Sequence, residues 1–446
     1  MHTHPPVGRL AVVITAVTAA ALGPAACEAA PARRSAPPPP AATGVPPGTA
    51  TLTIASSENT GLTDLLGVTF HSRHPNIVVD FDYEPRDVYD GKLETMLASK
   101  NPPDLVLLND LGTAPASGAV RSLDDYTRLY GWDAKYPSAE LDQWRAADDG
   151  RQLGTGHLWA APAGFSVVGV YYNKDLAAKL GIAPPATRAD FDAALAKAKA
   201  AGELPVQLGN LQGHSSFIVQ SIVDATDGAA RTSDWVNGKA GATIRTPGGT
   251  DAANTLADWA KKGYLPERAN ASGLTAAVAE FTRGKGLFLF DGSWDAQNID
   301  RAMHGRVGFI PFPGGAGGRA TGIGTSVAYA IPAKAKNPDL AAAFLDFMNT
   351  PEAAQIQFNT GFLPLAHADS VKGTEGNVMN DIASAWGVVN KGDGLVNFFA
   401  NSTATMNDTL TIQTQRLIES ATTGPAFLDA LQSDWARSHE RAGSGP

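Results

Sequence analysis

One cysteine in 446 residues excludes an intramolecular disulfide, so a chain exported to an oxidising compartment must depend on its apolar core. The 43% hydrophobic content is enough to build that core. Beyond the N-terminal region, no apolar run reaches the about twenty residues that a membrane-spanning helix needs. Positive charge is in deficit, with 35 Lys and Arg against 44 Asp and Glu and a net charge of -9, which argues against nucleic acid as a partner. Catalytic signatures are missing as well. There is no Gly-x-Ser-x-Gly elbow, no His-Glu-x-x-His helix and no Gly-x-x-x-x-Gly-Lys loop, and no internal repeat is visible.

What is present starts with the N-terminus. A short polar segment with Arg9 precedes an apolar core from Leu10 to Leu22, and the small residues Ala25 and Ala26 stand before Cys27. This is the layout of a secretory signal over residues 1–26, too short to span a bilayer stably. The run Leu22-Gly23-Pro24-Ala25-Ala26-Cys27 resembles a bacterial lipobox, in which the cysteine is diacylated and becomes the first mature residue. Pro24 departs from the usual pattern, and a plain cleavable signal with an incidental cysteine is the alternative. Cys27 is thus the expected lipid-attachment site, anchoring a secreted protein to the outer face of a bacterial cell membrane. Residues 27–48, with Pro37 to Pro40 and Pro46-Pro47 among alanines, read as an extended linker.

The remaining body, nearly 400 residues, suits two lobes better than one core. Strand-like runs at Thr51–Ile54, Ile77–Val79 and Leu105–Leu108 alternate with helix-like stretches at Leu62–His71 and Val88–Ala98. That alternation predicts an α/β fold with parallel strands covered on both faces, binding ligand beyond the strands' carboxyl ends. Thr187 with Asp190 forms a capping-box start, Asn337-Pro338 and Thr350-Pro351 open two consecutive helices, and Thr403 to His439 reads as two more.

Other chemistry-bearing residues have bland readings. His71 and His74 could share a metal but lack a second pair nearby, so a solvated face is the expected reading. Gly314 to Gly318 follows Phe312-Pro313 and opens no helix, which makes it a surface loop rather than a phosphate cradle. Neither metal nor cofactor is expected.

Several stretches, in order, resemble the family 1 extracellular solute-binding proteins of ABC importers, of which the maltodextrin-binding protein is a well-known type. Tyr89-x-x-Lys92-Leu93-x-Thr95 and Asn101-Pro102-Pro103-Asp104-Leu105-Val106 look like the family's second helix and third strand. Leu158 to Pro162 and Gly169 to Leu176 are similar to the first interlobe crossing and the Tyr-Asn-Lys segment after it. Phe288 to Trp294 with Asn298-Ile299-Asp300 resembles the strand, loop and helix that bring a tryptophan to the cleft. Val307 to Pro313, Ile323 to Pro332 and Ala341 to Gly361 resemble the second crossing, the next strand and the closing helices.

The resemblance implies a two-lobed periplasmic-binding-protein-like (type 2) fold with a hinged interlobe cleft. Lobe 1 would be 49–163 completed by 309–350, and lobe 2 would be 164–308 completed by 351–446. The hinge candidates are Pro162 to Phe165, Ile310 to Pro313 and Thr350-Pro351. It also implies a non-enzymatic, monomeric receptor that binds a mono- or oligosaccharide and delivers it to the permease subunits of an ABC importer.

Sugar recognition needs flat apolar surfaces for ring faces and carboxylate or amide groups for hydroxyls. The implied ligand-binding set is Glu58 and Asn59 after the first strand, Asn109 and Asp110 after the third, Phe165 at the crossing, Asn210, His214, Trp294, Gly324, Ser326 and Trp386. Helix capping competes for Asn59 and Asp110, and core packing competes for Trp294 and Trp386. Leu107 and Leu108 stand where many relatives place an aromatic, which argues against a long maltodextrin. Two alternatives stay open: the same fold holding a polyamine, metal chelate or other small solute through Glu58, Asp110 and Asp291, and, more remotely, a secreted glycosidase whose carboxylate pair the sequence does not single out.

Overall fold

Four consecutive apolar residues, Leu105 to Leu108, can all be buried only in a strand covered on both faces. The computed structural model shows this, and it describes residues 40–439 apart from 59–60, 137, 151–152, 315–319, 368–369 and 393. The signal segment, Cys27, Asn59 and Gly315 to Gly318 therefore lie outside the described residues. Strand β1 (Ala50–Ser56) pairs in parallel with β2 (Ile77–Tyr83) and with β3 (Leu105–Leu108), linked by the helices Leu62–Arg73 and Arg86–Ala98. Tyr89 on the second helix is fully buried and directs its hydroxyl to the carbonyls of Ala55 and Leu107, which fastens β1 to β3.

A short hairpin, β4 (Arg145–Ala146) with β5 (His157–Leu158), precedes the long strand β6 (Ala161–Asn173). Then come β7 (Val206–Gln207), β8 (Phe288–Gly292), β9 (Val307–Ile310), β10 (Gly322–Ala330) and β11 (Leu395–Val396). The main sheet has the order β2-β1-β3-β10-β6-β8-β7, with β9 added to β6 and β11 to β10. β6 pairs antiparallel with β10 along its first half and with β8 and β9 along its second. β10 in turn pairs with β3 through Ala328 to Ala330, and its register against β6 shifts between Ser326 and Ala328. These two strands join the β1–β3 side of the sheet to the β7–β9 side.

The buried apolar residues form three clusters. One gathers β1, β3, Trp132, Trp144 and Ala163 with Ala328 to Ile331 and Leu340 to Met348. A second runs from Val170 and Phe191 to Phe312 and the C-terminal Trp435, and a third holds Phe165, Tyr171, Phe309 and Ile382. Phe309 and Phe312 thus pack with the later clusters while Ala328 onward packs with the first, and the chain changes sides between them.

Local signals explain the helix starts. Thr187 accepts from the Asp190 N–H at 3.1 Å and Asp190 accepts from the Thr187 N–H at 3.1 Å, a complete capping box. Thr350 caps its helix through the Ala353 N–H. Asn337 holds the N-cap position but makes no side-chain capping bond. Its amide donates instead to the Thr51 carbonyl and the Asp104 carboxylate, so it ties the helix Pro338–Phe347 to β1 and β3. The C-terminal helices are Met406–Ile418 and Gly424–His439, held by buried Asp434, which accepts from the hydroxyls of Thr403 and Thr405 at 2.9 and 2.7 Å.

The end of the expected linker is not free of the body. The Ala42 N–H donates to Asp339 at 3.0 Å and the Gly44 N–H to the Tyr130 hydroxyl at 2.9 Å, while Asn76 donates to the carbonyls of Pro46 and Gly48. Ala41 and Val45 pack on the first apolar cluster. Proline-rich composition here produces an extended strap that docks, because its exposed carbonyls and N–H groups find fixed partners. His71 presents Nδ1 to the Ile77 carbonyl, and among the described residues no group of three or more potential ligands could hold a metal.

Candidate functional site

Parallel strands deliver their carboxyl ends to one side of a sheet, so the loops after β1 and β3 lie together. β8 runs the opposite way, through β10 and β6, and ends with Gly292 opposite Val168 of β6. The loops after all three strands carry polar and aromatic side chains. After β1, the Ser56 hydroxyl bonds the Glu58 N–H and lies 3.1 Å from the Tyr329 hydroxyl of β10, which places half-buried Glu58 near the middle of the sheet. After β3, Asn109 is half-buried and donates to Asp90 at 2.8 Å, and Asp110 is exposed with its carboxylate turned over Gly112.

The end of β8 carries the aromatic part. Gly292 leaves room for the Trp294 ring, since a β-carbon there would stand 2.2 Å from it. Trp294 is half-buried and meets Phe217 from the helix Ser215–Asp227 at 6.1 Å between ring centroids and Phe398 at 6.4 Å. Phe217 and Phe398 are 5.8 Å apart, and His214 sets its edge to Phe217 at 5.5 Å. These four rings, none fully buried, make a continuous aromatic surface from three separate segments. Phe217 and Phe398 were not expected as site residues. Their only trace in the sequence is that each adjoins apolar residues that go to the core, Ile218 and Phe399, while they themselves do not.

Four expected residues have mainly internal work. Phe165 is fully buried and stacks on half-buried Trp386 at 4.4 Å. A β-carbon on Gly324 would lie 2.5 Å from the Phe165 ring, so the close approach that this glycine permits is between β10 and β6 rather than toward a ligand. Asn210 is fully buried; its carbonyl accepts from the Ser215 N–H and hydroxyl and its amide donates to Asn270, which pins the loop before the Phe217 helix. Ser326 is buried and donates to Glu140 at 3.3 Å.

That last contact is itself informative. Glu140 sits in the helix Ser138–Asp142, 3% exposed, and burial pushes its carboxyl up to about 8, with Ser326 opposing the shift. Beside it, Thr325 donates to Gln143 at 3.0 Å. Both contacts join the segment before the crossing to β10, close to the register shift. Two further backbone bonds between Phe165 and Leu363, each 2.7 Å, bring a third segment to the same place, and Gly164 there has φ of 135°.

Asp291 is fully buried beneath Gly292, with a carboxyl held well above the usual range by burial and by Asp295. It cannot face a cationic solute, which removes one of the three carboxylates on which the polyamine or metal-chelate alternative drew.

Known proteins share this fold. The family model described as bacterial extracellular solute-binding protein matches residues 55–355. The multiple sugar-binding protein of Streptococcus mutans serotype c is 25% identical over 218 residues, 47% of this chain and 51% of that protein, so the match spans about half of that relative's length. Among solved structures, the chitin oligosaccharide binding protein superposes with a TM-score of 0.73 at 21% identity, covering 88% of this chain and 99% of that one. The solute-binding protein RafE in complex with raffinose superposes with a TM-score of 0.66 at 18% identity, covering 88% of this chain and 100% of that one. At these identities the structural likeness is one of fold: α/β, in two lobes of the periplasmic-binding-protein kind.

Proposed function

Because this chain belongs to the bacterial extracellular solute-binding protein family, we propose that it is the receptor of an ABC importer, binding a mono- or oligosaccharide between its lobes and delivering it to the permease subunits. The observation that carries the sugar reading is the aromatic surface of Trp294, Phe217 and Phe398 at the end of β8. Flat C–H faces of a sugar ring stack on such rings, while Glu58, Asn109 and Asp110 from the other strand ends meet its hydroxyls.

Closure follows from the binding itself, since only a solute that prefers the closed form shifts the equilibrium toward it. The hinge is assigned to the crossing segments around Pro162 to Phe165 and Ser326 to Ala328, with Phe362-Leu363 alongside. Residues 49–163 with the β10 carboxyl half and the helix Pro338–Phe347 make lobe 1, and the second half of β6 through Phe312 with the C-terminal helices makes lobe 2. The receptor works as a monomer, without turnover, and is tethered outside the cell by a lipid on Cys27. A Cys27→Ala variant is expected in the medium rather than in the membrane fraction.

A thermal-shift screen of the chain from Cys27 onward, against monosaccharides, oligosaccharides, polyamines and metal chelates, tests the reading. A solute at a hundred times its Kd stabilises by about 2.7 kcal/mol. A shift restricted to one sugar class supports the proposal, and response to cations alone overturns it. Hydrolysis of aryl glycosides by the pure protein would overturn the receptor role.

A further inference from the structure

Asp291 presents an unsolved demand. Its Oδ1 accepts from the Gly292 N–H at 2.7 Å, but its Oδ2 is buried and meets no hydrogen-bond donor. A buried acceptor without a donor is costly. What lies within reach of this carboxyl is a second one, Asp295, one turn further along. Tyr171 from β6 and Asp300 from the helix Ala296–Met303 act on the region too, but Tyr171 already donates its proton to the Gly292 carbonyl at 2.9 Å. Asn298 reaches the other side of Asp295, 3.4 Å from Oδ1. Among the described residues, the groups that act on the two carboxyls include no lysine or arginine; Lys174 acts on Asp300.

Asp291 is fully buried and Asp295 half-buried, so a second charge beside the first is disfavoured, and the proton the pair keeps supplies the donor that Oδ2 lacks. Burial holds both groups above the usual carboxylate range. The Trp294 indole lies over Gly292, between the two acids in sequence, and its N–H makes no hydrogen bond to Oδ2 but opposes the upward shift of Asp291.

We propose that Asp291 and Asp295 are positioning residues for the Trp294 platform: Asp291 donates one shared proton to Asp295, and the closed pair holds the turn Gly292–Asp295 so that the indole keeps its orientation over Gly292. The inference rests on the saccharide reading only for what the platform is used for. When the shared proton is lost, the two charges repel, the turn loosens and Trp294 leaves its place. Sugar affinity therefore declines as pH rises through the titration of the pair, and a single amide in the pair mimics the protonated state at all pH values.

The test needs no solute. Intrinsic fluorescence of the full mature chain is titrated from about pH 4 to pH 10, and the same titration of a Trp294→Phe variant is subtracted to isolate Trp294. The expected result is a transition with a midpoint well above the ordinary carboxylate value of about 4. Asp291→Asn and Asp295→Asn, whose amide N–H replaces the shared proton, each abolish it while the emission stays like that of the wild type at low pH. A midpoint near 4, or a transition unchanged by either amide variant, overturns the proposal. If one variant fails to fold, the other and the wild-type midpoint still decide. Failure here leaves the saccharide reading standing, and failure of every sugar in the thermal screen leaves this titration to be judged by itself.

Discussion

At the scale of single residues, the proposed aromatic platform should separate binding from folding. Trp294 is half-buried, so its removal takes away contact area for a solute without opening the fully buried core. Trp294→Ala is expected to weaken saccharide binding at least tenfold, about 1.4 kcal/mol or more, with the melting temperature of the free protein little changed. Calorimetric titration of both proteins with the sugar that responds in the thermal screen checks this, and wild-type affinity would remove Trp294 from the site. Glu140 makes a different prediction. Burial raises its folded pKa to about 8, above the ordinary 4.5 of a glutamate, so the wild type loses stability as pH rises from the lower value through the upper one. Glu140→Gln removes that loss, and its advantage in chemical denaturation should grow from near zero at about pH 4 to at most about 5 kcal/mol above pH 8. Parallel pH profiles would mean that Glu140 is ordinarily ionised.

At the scale of elements, β6 and β10 connect the two sides of the sheet, and the proposed closure turns on them. Gly324 sits where the two strands touch, with the Phe165 ring 2.5 Å and the Ser166 carbonyl 2.6 Å from where a β-carbon would be. Gly324→Ala should therefore destabilise the fold by about 1 to 3 kcal/mol through overpacking. Urea denaturation reads that loss. An alanine that costs only sugar affinity, with stability intact, would instead put Gly324 against the ligand. Strand and helix positions were largely legible in the sequence: the observed Leu105–Leu108 strand and the Thr187 capping box fall where apolar runs and caps predict. The helix start at Asn337-Pro338 was legible too, but not that Asp104 and Thr51 would take up the Asn337 amide in place of a side-chain cap.

At the scale of the whole molecule, two measurements follow. Saturating the protein with its sugar should reduce its radius of gyration in X-ray scattering, as hinged lobes close; an unchanged profile would argue for binding without domain motion. The N-terminal strap offers the other. Residues 41–48 contribute backbone bonds to Asp339 and Tyr130 and apolar contact to the first cluster. A chain starting at Thr49 position plus one, Ala50, should melt several degrees below one starting at Ala41, whereas equal melting temperatures would show the strap to be a passive spacer.

Composition and pattern alone determined the absence of an intramolecular disulfide, the α/β alternation and, through ordered short motifs, the family. These are local or additive properties, set by residue type, period and spacing along the chain. Tertiary structure decided which polar and aromatic residues meet. Asn210, Gly324 and Ser326 turned out to hold the protein together, and Phe217 and Phe398 joined Trp294 from segments 77 and 104 residues away in the numbering. A side chain's partners across such separations depend on strand order and on which way each loop leaves the sheet. Neither quantity is written in the neighbourhood of the residue itself.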